Sequence, residues 1–152
     1  MGTEVYMGIR FPDSLTGIVK ETLDRYIEDD WGVTQGGLRE LNYGWCRTDV
    51  HSTAWELAEL GIPCTIFWER ENEDEQINYI HVRFTEDEAK ITEVYAEDFY
   101  LPLTDLKSKL ERSSHTEFVL WIDQMIQSTQ EPSWDNQEEL GKRYAFIKSL
   151  EK

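Results

Sequence analysis

Apolar and polar positions along the chain change period several times, and each change marks an element. Val5, Met7, Ile9 and Phe11 recur at every second residue, which predicts a strand with one buried face over 4–11, ended by Pro12. Leu15, Ile18, Val19, Thr22, Leu23, Tyr26 and Ile27 then follow helical spacing. They predict a helix over 14–30 with Asp13 or Ser14 as its cap. Glu28, Asp29 and Asp30 would stand at the carbonyl end of that helix, where the dipole disfavours negative charge. Gly32, Gly36 and Gly37 mark a loop, after which Leu41, Tyr43 and Trp45 alternate with Glu40, Asn42 and Gly44 as a strand over 38–45. A helix over 49–60 follows: Thr48 or Asp49 caps it, Val50, Ala54, Leu57 and Ala58 form its buried stripe, and Gly61 with Pro63 stops it.

Thr65-Ile66-Phe67-Trp68 lacks polar alternation and reads as a central strand over 64–69. Ile80, Val82 and Phe84 face one way and Tyr79, His81 and Arg83 the other, predicting a strand over 77–84. Thr85 to Glu88 turn the chain into a hairpin partner over 89–96. The last third is helical, with predicted helices at 102–111, 115–128 and 136–150; Ser114 and Glu117 form a capping box before the second of these. The order β-α-β-α-β-β-β followed by helices defines the α+β class. The expected architecture is a five-stranded mixed or antiparallel sheet with helices mainly on one face, in one domain over 1–152.

Composition narrows the function classes. Six Trp, seven Tyr and six Phe in 152 residues need burial and exclude a disordered chain. Asp and Glu number 31 against 15 Lys and Arg, a formal charge of −16, so direct binding to nucleic acid is not expected. The N-terminus lacks a basic segment followed by a long apolar one, and no apolar stretch is long enough to cross a bilayer; a cytoplasmic location without membrane contact is expected. Met1-Gly2 fails as a myristoylation signal, because position 6 is Tyr where Ser or Thr is required. Cys46 and Cys64 fall in or beside predicted strands and read as buried thiols.

Charge clustering is the most informative feature. Between Glu69 and Asp98 stand eleven acids and three bases, a net −8, which is half of the total in a fifth of the chain. Glu69, Glu71, Glu73, Asp74 and Glu75 fall at one end of the predicted strand 77–84, and Glu86, Asp87 and Glu88 at the other. Two acidic poles joined by a strand suit a basic partner, because such surfaces accelerate encounter in a salt-sensitive way. Trp31 and Trp134 fall in predicted loops beside Asp29, Asp30 and Asp135, the pattern of an aromatic anchor with a charged rim.

Motifs for chemistry are thin. The loop carrying Glu71, Glu73 and Glu75 has neither the Gly nor the Asp/Asn spacing of a calcium hand, and His51, His81 and His115 have no metal-ligand spacing, so neither metal nor cofactor is expected. His51-Ser52-Thr53 has the H-x-T shape of two-histidine phosphoesterases, but a second such triplet is absent. Cys46 beside Arg47, with His51 close in sequence, is the other conceivable reactive pair. The expected function is a small acidic non-enzymatic binding protein that docks on a basic protein, either a nucleic-acid-binding enzyme or a toxin, and inhibits or neutralises it. The alternative is a small hydrolase or phosphoesterase using His51 and Cys46.

Overall fold

The computed structural model describes residues 4–34, 36–70 and 76–151. Among the described residues six strands are present: β1 Val5–Pro12, β2 Asp29–Val33, β3 Leu38–Cys46, β4 Cys64–Arg70, β5 Asn78–Phe84 and β6 Ala89–Val94. Five α-helices accompany them: α1 Thr16–Thr22, α2 Val50–Glu59, α3 Leu103–Arg112, α4 His115–Thr129 and α5 Gln137–Leu150. The strands form one sheet in the order β2-β3-β1-β4-β5-β6, and every neighbouring pair is antiparallel. The crossover through α2 carries the chain from β3 over β1 to β4, so the N-terminal strand lies inside the sheet with a partner on each side.

Period two and strand register together create two unlike faces. Ile9 pairs with Leu41 and with Ile66, which pairs with Ile80, giving an apolar row across four strands. These four side chains are buried, and each contributes about 1.5–3 kcal/mol through burial. One residue along, the opposite face carries the row Glu40, Arg10, Thr65, His81 and Thr92. The apolar face is covered by α2, through Val50, Ala54, Leu57 and Ala58, and by Val19 of α1. Leu140 and Tyr144 of α5 pack against the same core, and the Gln137 side chain binds the Phe84 backbone in both directions, at 2.7 and 3.1 Å. No residue of α3 or α4 is buried.

The structure corrects the predicted fold in three places. The sheet has six strands rather than five and is wholly antiparallel. The helix expected over 14–30 ends at Thr22, and Asp29–Val33 forms β2 along the edge of β3. The three carboxylates that a longer helix would have placed at its carbonyl end therefore enter or precede a strand. There Arg39 donates to Asp30 at 2.6 Å and to Asp13 at 2.7 Å. Finally, the helical spacing of Phe118, Trp121, Ile122 and Met125 predicts a buried stripe with Trp121 in the core, but Trp121 is only half-buried on α4.

Candidate functional site

Trp31 is the most exposed tryptophan of the chain, at 66%. It stands on β2, not in a loop, between Asp30, which pairs with Leu41, and Gly32, which pairs with Glu40; the register shifts between them, so Trp31 is the extra residue of a bulge. A bulge re-aims its side chain, and among the described residues no strand neighbours the outer edge of β2. Asp30 is held in place by the fold: its carboxylate accepts from the Gly32 N–H and from Arg39. That backbone hydrogen bond, and then the guanidinium, hold Asp30 below the usual carboxylate range. Asp29 is exposed and makes no ion pair among the described residues, and Tyr26, in the segment entering β2, is more exposed still.

The remaining predicted contact residues are dispersed. Glu86, Asp87 and Glu88 are exposed on the β5–β6 turn, and Glu69 is half-buried near the end of β4. Glu71, Glu73, Asp74 and Glu75 lie outside the described residues. Four strand spacings separate β2 from β5, roughly 19 Å at 4.8 Å per strand, so Trp31 and the acidic turn do not form one patch. Trp134 is half-buried in the segment between α4 and α5, and the Arg83 guanidinium lies 3.6 Å from the centre of its ring. One face of that indole is thus already occupied.

Arg83 belongs to the polar face of the sheet, which sequence reasoning did not single out. Buried on β5, it donates to the Cys64 carbonyl at 2.6 Å, to Thr65 Oγ1 at 2.9 Å and to the Ser133 carbonyl at 3.1 Å. Burial pushes its pKa down to about 10. Arg10 donates to Glu40 at 2.8 Å and to both oxygens of Glu131 at 3.0 and 3.1 Å. Glu131 and Arg83 together tie the segment after α4 onto the sheet. A cavity of about 210 Å³ beneath it is lined by Arg10, Thr65, Tyr79, His81 and Glu131, among others. The alternation of Tyr79, His81 and Arg83, and of Glu40 with Leu41, was the sequence signal for this face; the pairing of Arg10 and Arg83 with Glu131 joins residues far apart in the chain.

His81 on this face is buried, with Nδ1 2.9 Å from Thr65 Oγ1. Burial, and then the positive charge of Arg83, push its pKa down to about 4. In the unfolded chain an ordinary histidine titrates near ~6.5, so between pH 6.5 and about 4 the unfolded state binds more protons. Stability is therefore expected to fall on acidification through that window, with a slope approaching 1.4 kcal/mol per pH unit from this one group. His81→Gln should flatten the slope between pH 6.5 and 4.5 in urea titrations at stepped pH; an unchanged slope would assign it to other groups.

The residues considered for catalysis do not come together. His51 opens α2 and its Nε2 lies 2.9 Å from Glu93 of β6, whereas His115 opens α4 and is exposed. The cavity lined by His81 contains neither of these histidines nor Cys46. Cys46 is half-buried rather than buried as expected, at the end of β3; that partial burial still raises its thiol pKa, opposed by Arg25, so a thiolate is disfavoured. Cys64 is fully buried and pushed up to about 12. Among the described residues no group of three or more His, Cys, Asp or Glu is arranged to hold a metal ion, and no helix is long and apolar enough to cross a membrane. Comparison with family models, curated proteins and solved structures gives no match, so neither fold nor function is carried over from a relative.

Proposed function

We propose that the protein is an acidic, non-enzymatic docking protein that occupies a basic surface of a partner protein and inhibits or neutralises it. The observation that carries this reading is Trp31: a large aromatic on an open sheet edge, at a bulge, rimmed by Asp29 and Asp30. A buried aromatic surrounded by polar groups is the usual anchor of a protein interface. The −16 charge supplies long-range attraction to a basic surface, and a nucleic-acid-binding enzyme or a cationic toxin offers one. Trp31 makes short-range contact in this reading, while the carboxylates of the β5–β6 turn act at a distance.

The two roles separate kinetically. Trp31→Ala is expected to raise the dissociation rate from the partner about 30-fold, equivalent to ~2 kcal/mol, with the association rate little changed. Neutralising Glu86, Asp87 and Glu88 to Gln, Asn and Gln should instead slow association and flatten its salt dependence, because exposed charges are screened over ~10 Å at 0.1 M salt. The partner is first identified by affinity capture from the source cells and mass spectrometry, with Trp31→Ala as the control bait. Association and dissociation are then measured at several salt concentrations. A partner without a basic face, or one bound equally well by both variants, would overturn the proposal.

A further inference from the structure

The polar face of the sheet holds a recess with a rigid floor. Arg10 of β1, Thr65 of β4, and Tyr79 and His81 of β5 form that floor, and Phe99 and Glu131 wall the cavity of about 210 Å³ above it. Three adjacent strands from the middle of the sheet supply these side chains, so the backbone ladder holds them in place. His81 is only 3% exposed, and the Tyr79 ring stacks beside it with 10° between the planes and 6.0 Å between the centres. Phe99 meets the Tyr79 ring edge-on at 6.0 Å. The recess thus combines an aromatic wall with a polar floor.

Hydrogen bonds define what the floor offers. Thr65 Oγ1 accepts from Arg83 at 2.9 Å and lies 2.9 Å from His81 Nδ1, while Thr65 itself is 1% exposed. The threonine hydroxyl has no other acceptor among the described residues, so it donates to Nδ1 and the ring proton resides on Nε2. Nε2 has no protein partner among the described residues and is not sealed off by its neighbours, so its N–H opens on the cavity. A polar atom on a side chain this buried is normally paired. Arg10 makes four contacts with Glu40 and Glu131, which leaves at least one of its five N–H groups without an acceptor among the described residues. The charges that act on the His81 ring are Arg83 and Arg10 against Glu131, two positive to one negative. Two N–H donors in a locally positive recess suit an acceptor that carries negative charge, and the aromatic wall suits a flat body. At about 210 Å³ the recess is smaller than the ~300–1,000 Å³ of drug-sized sites, so the molecule it takes is small. We propose that this cavity binds a small aromatic carboxylic acid in its ionised form, the carboxylate accepting from His81 Nε2–H and Arg10 while the ring lies against Tyr79 and Phe99. This inference does not rest on the docking function of Trp31.

Benzoate is the probe, and nitrogen NMR of the histidine side chains in the full chain is the first readout. The free protein is expected to show His81 neutral at neutral pH with its proton on Nε2. Benzoate should shift that Nε2 resonance saturably, with a dissociation constant in the high-micromolar to low-millimolar range, and leave His51 and His115 unmoved, since neither lines the cavity. Benzamide, equal in shape but uncharged, should bind at least ~10-fold more weakly. His81→Phe keeps a flat ring and removes the donor; calorimetry should show benzoate affinity about 10- to 100-fold lower, the loss of one hydrogen bond to a charged group. Glu131→Gln removes the one acid that lines the cavity and keeps a side-chain carbonyl for Arg10. It should bind benzoate several-fold more tightly, a gain that misfolding cannot produce. Absence of a saturable His81 shift would overturn the proposal. So would benzamide binding as tightly as benzoate, undiminished affinity in folded His81→Phe, or weaker binding by folded Glu131→Gln.

Discussion

Arg83→Ala is expected to lower the free energy of unfolding by about 3–5 kcal/mol, the range for removing one partner from a buried charged network. The arginine is buried and donates to the carbonyls of Cys64, Val82, Pro132 and Ser133 as well as to Thr65. Alanine would leave those acceptors to water that reaches them poorly, and each unpaired buried acceptor costs about 1–3 kcal/mol. It would also free the Trp134 ring, whose contact with the guanidinium is worth up to about 2 kcal/mol when desolvated. These losses overlap and do not add. Lysine at position 83 keeps the charge but lacks the planar fork, so Arg83→Lys should recover only a minor part. Urea denaturation checks this: the midpoint should fall with little change in slope. A loss below about 1 kcal/mol would mean that Glu131 and Arg10 hold the segment after α4 without help from Arg83.

Gly141→Ala is expected to destabilise the fold by about 3 kcal/mol, at the upper end of overpacking effects. A Cβ at position 141 would lie 2.0 Å from the carbonyl oxygen of Gly61, and one at Gly61 would lie 2.1 Å from the carbonyl oxygen of Gly141. Both obstacles are backbone, so the strain is relieved only if α5 moves away from the end of α2. That movement pulls Gln137 from the Phe84 backbone, and the Phe84 amide should exchange faster with deuterium. Gly61 also has φ +73°, a conformation that penalises any side chain. Gly17→Ala is the matched control: it lies in α1 with nothing near its Cβ, and should gain up to about 1 kcal/mol. Equal effects at positions 141 and 17 would mean that α5 is not seated on Gly61.

Much of the fold was legible because its signals are local. Asp49 caps α2, accepting from the His51 and Ser52 N–H groups, and Ser114 accepts from Glu117 N–H at the start of α4. Gly61 follows α2 with a positive φ. The β2 strand was not legible, since two aspartates and a glycine, all depleted in strands, outweigh Trp31 and Val33 in a run of five residues; pairing with β3 and the Arg39 contacts select the strand. Of the candidate site, the exposed Trp31 and the acidic turn were visible as residue types. Trp134 was also visible as a type, but nothing local reveals that Arg83, fifty-one positions earlier, lies on its ring.

The sequence by itself determined which side chains share a face. Period two in β1 and β5, and the stripe of α2, follow from backbone geometry alone, and the −16 charge is a property of composition. Only the tertiary structure decided which faces are covered. The order β2-β3-β1-β4-β5-β6 aligned Glu40, Arg10, Thr65 and His81 into one polar row, and brought Glu131 over it from the far end of the chain. It also left α4 outside the core although its apolar pattern resembles that of a buried helix. Periodicity reports the amphipathicity of a segment, whereas burial depends on what the remaining chain places against it, and that is set by contacts distant in sequence.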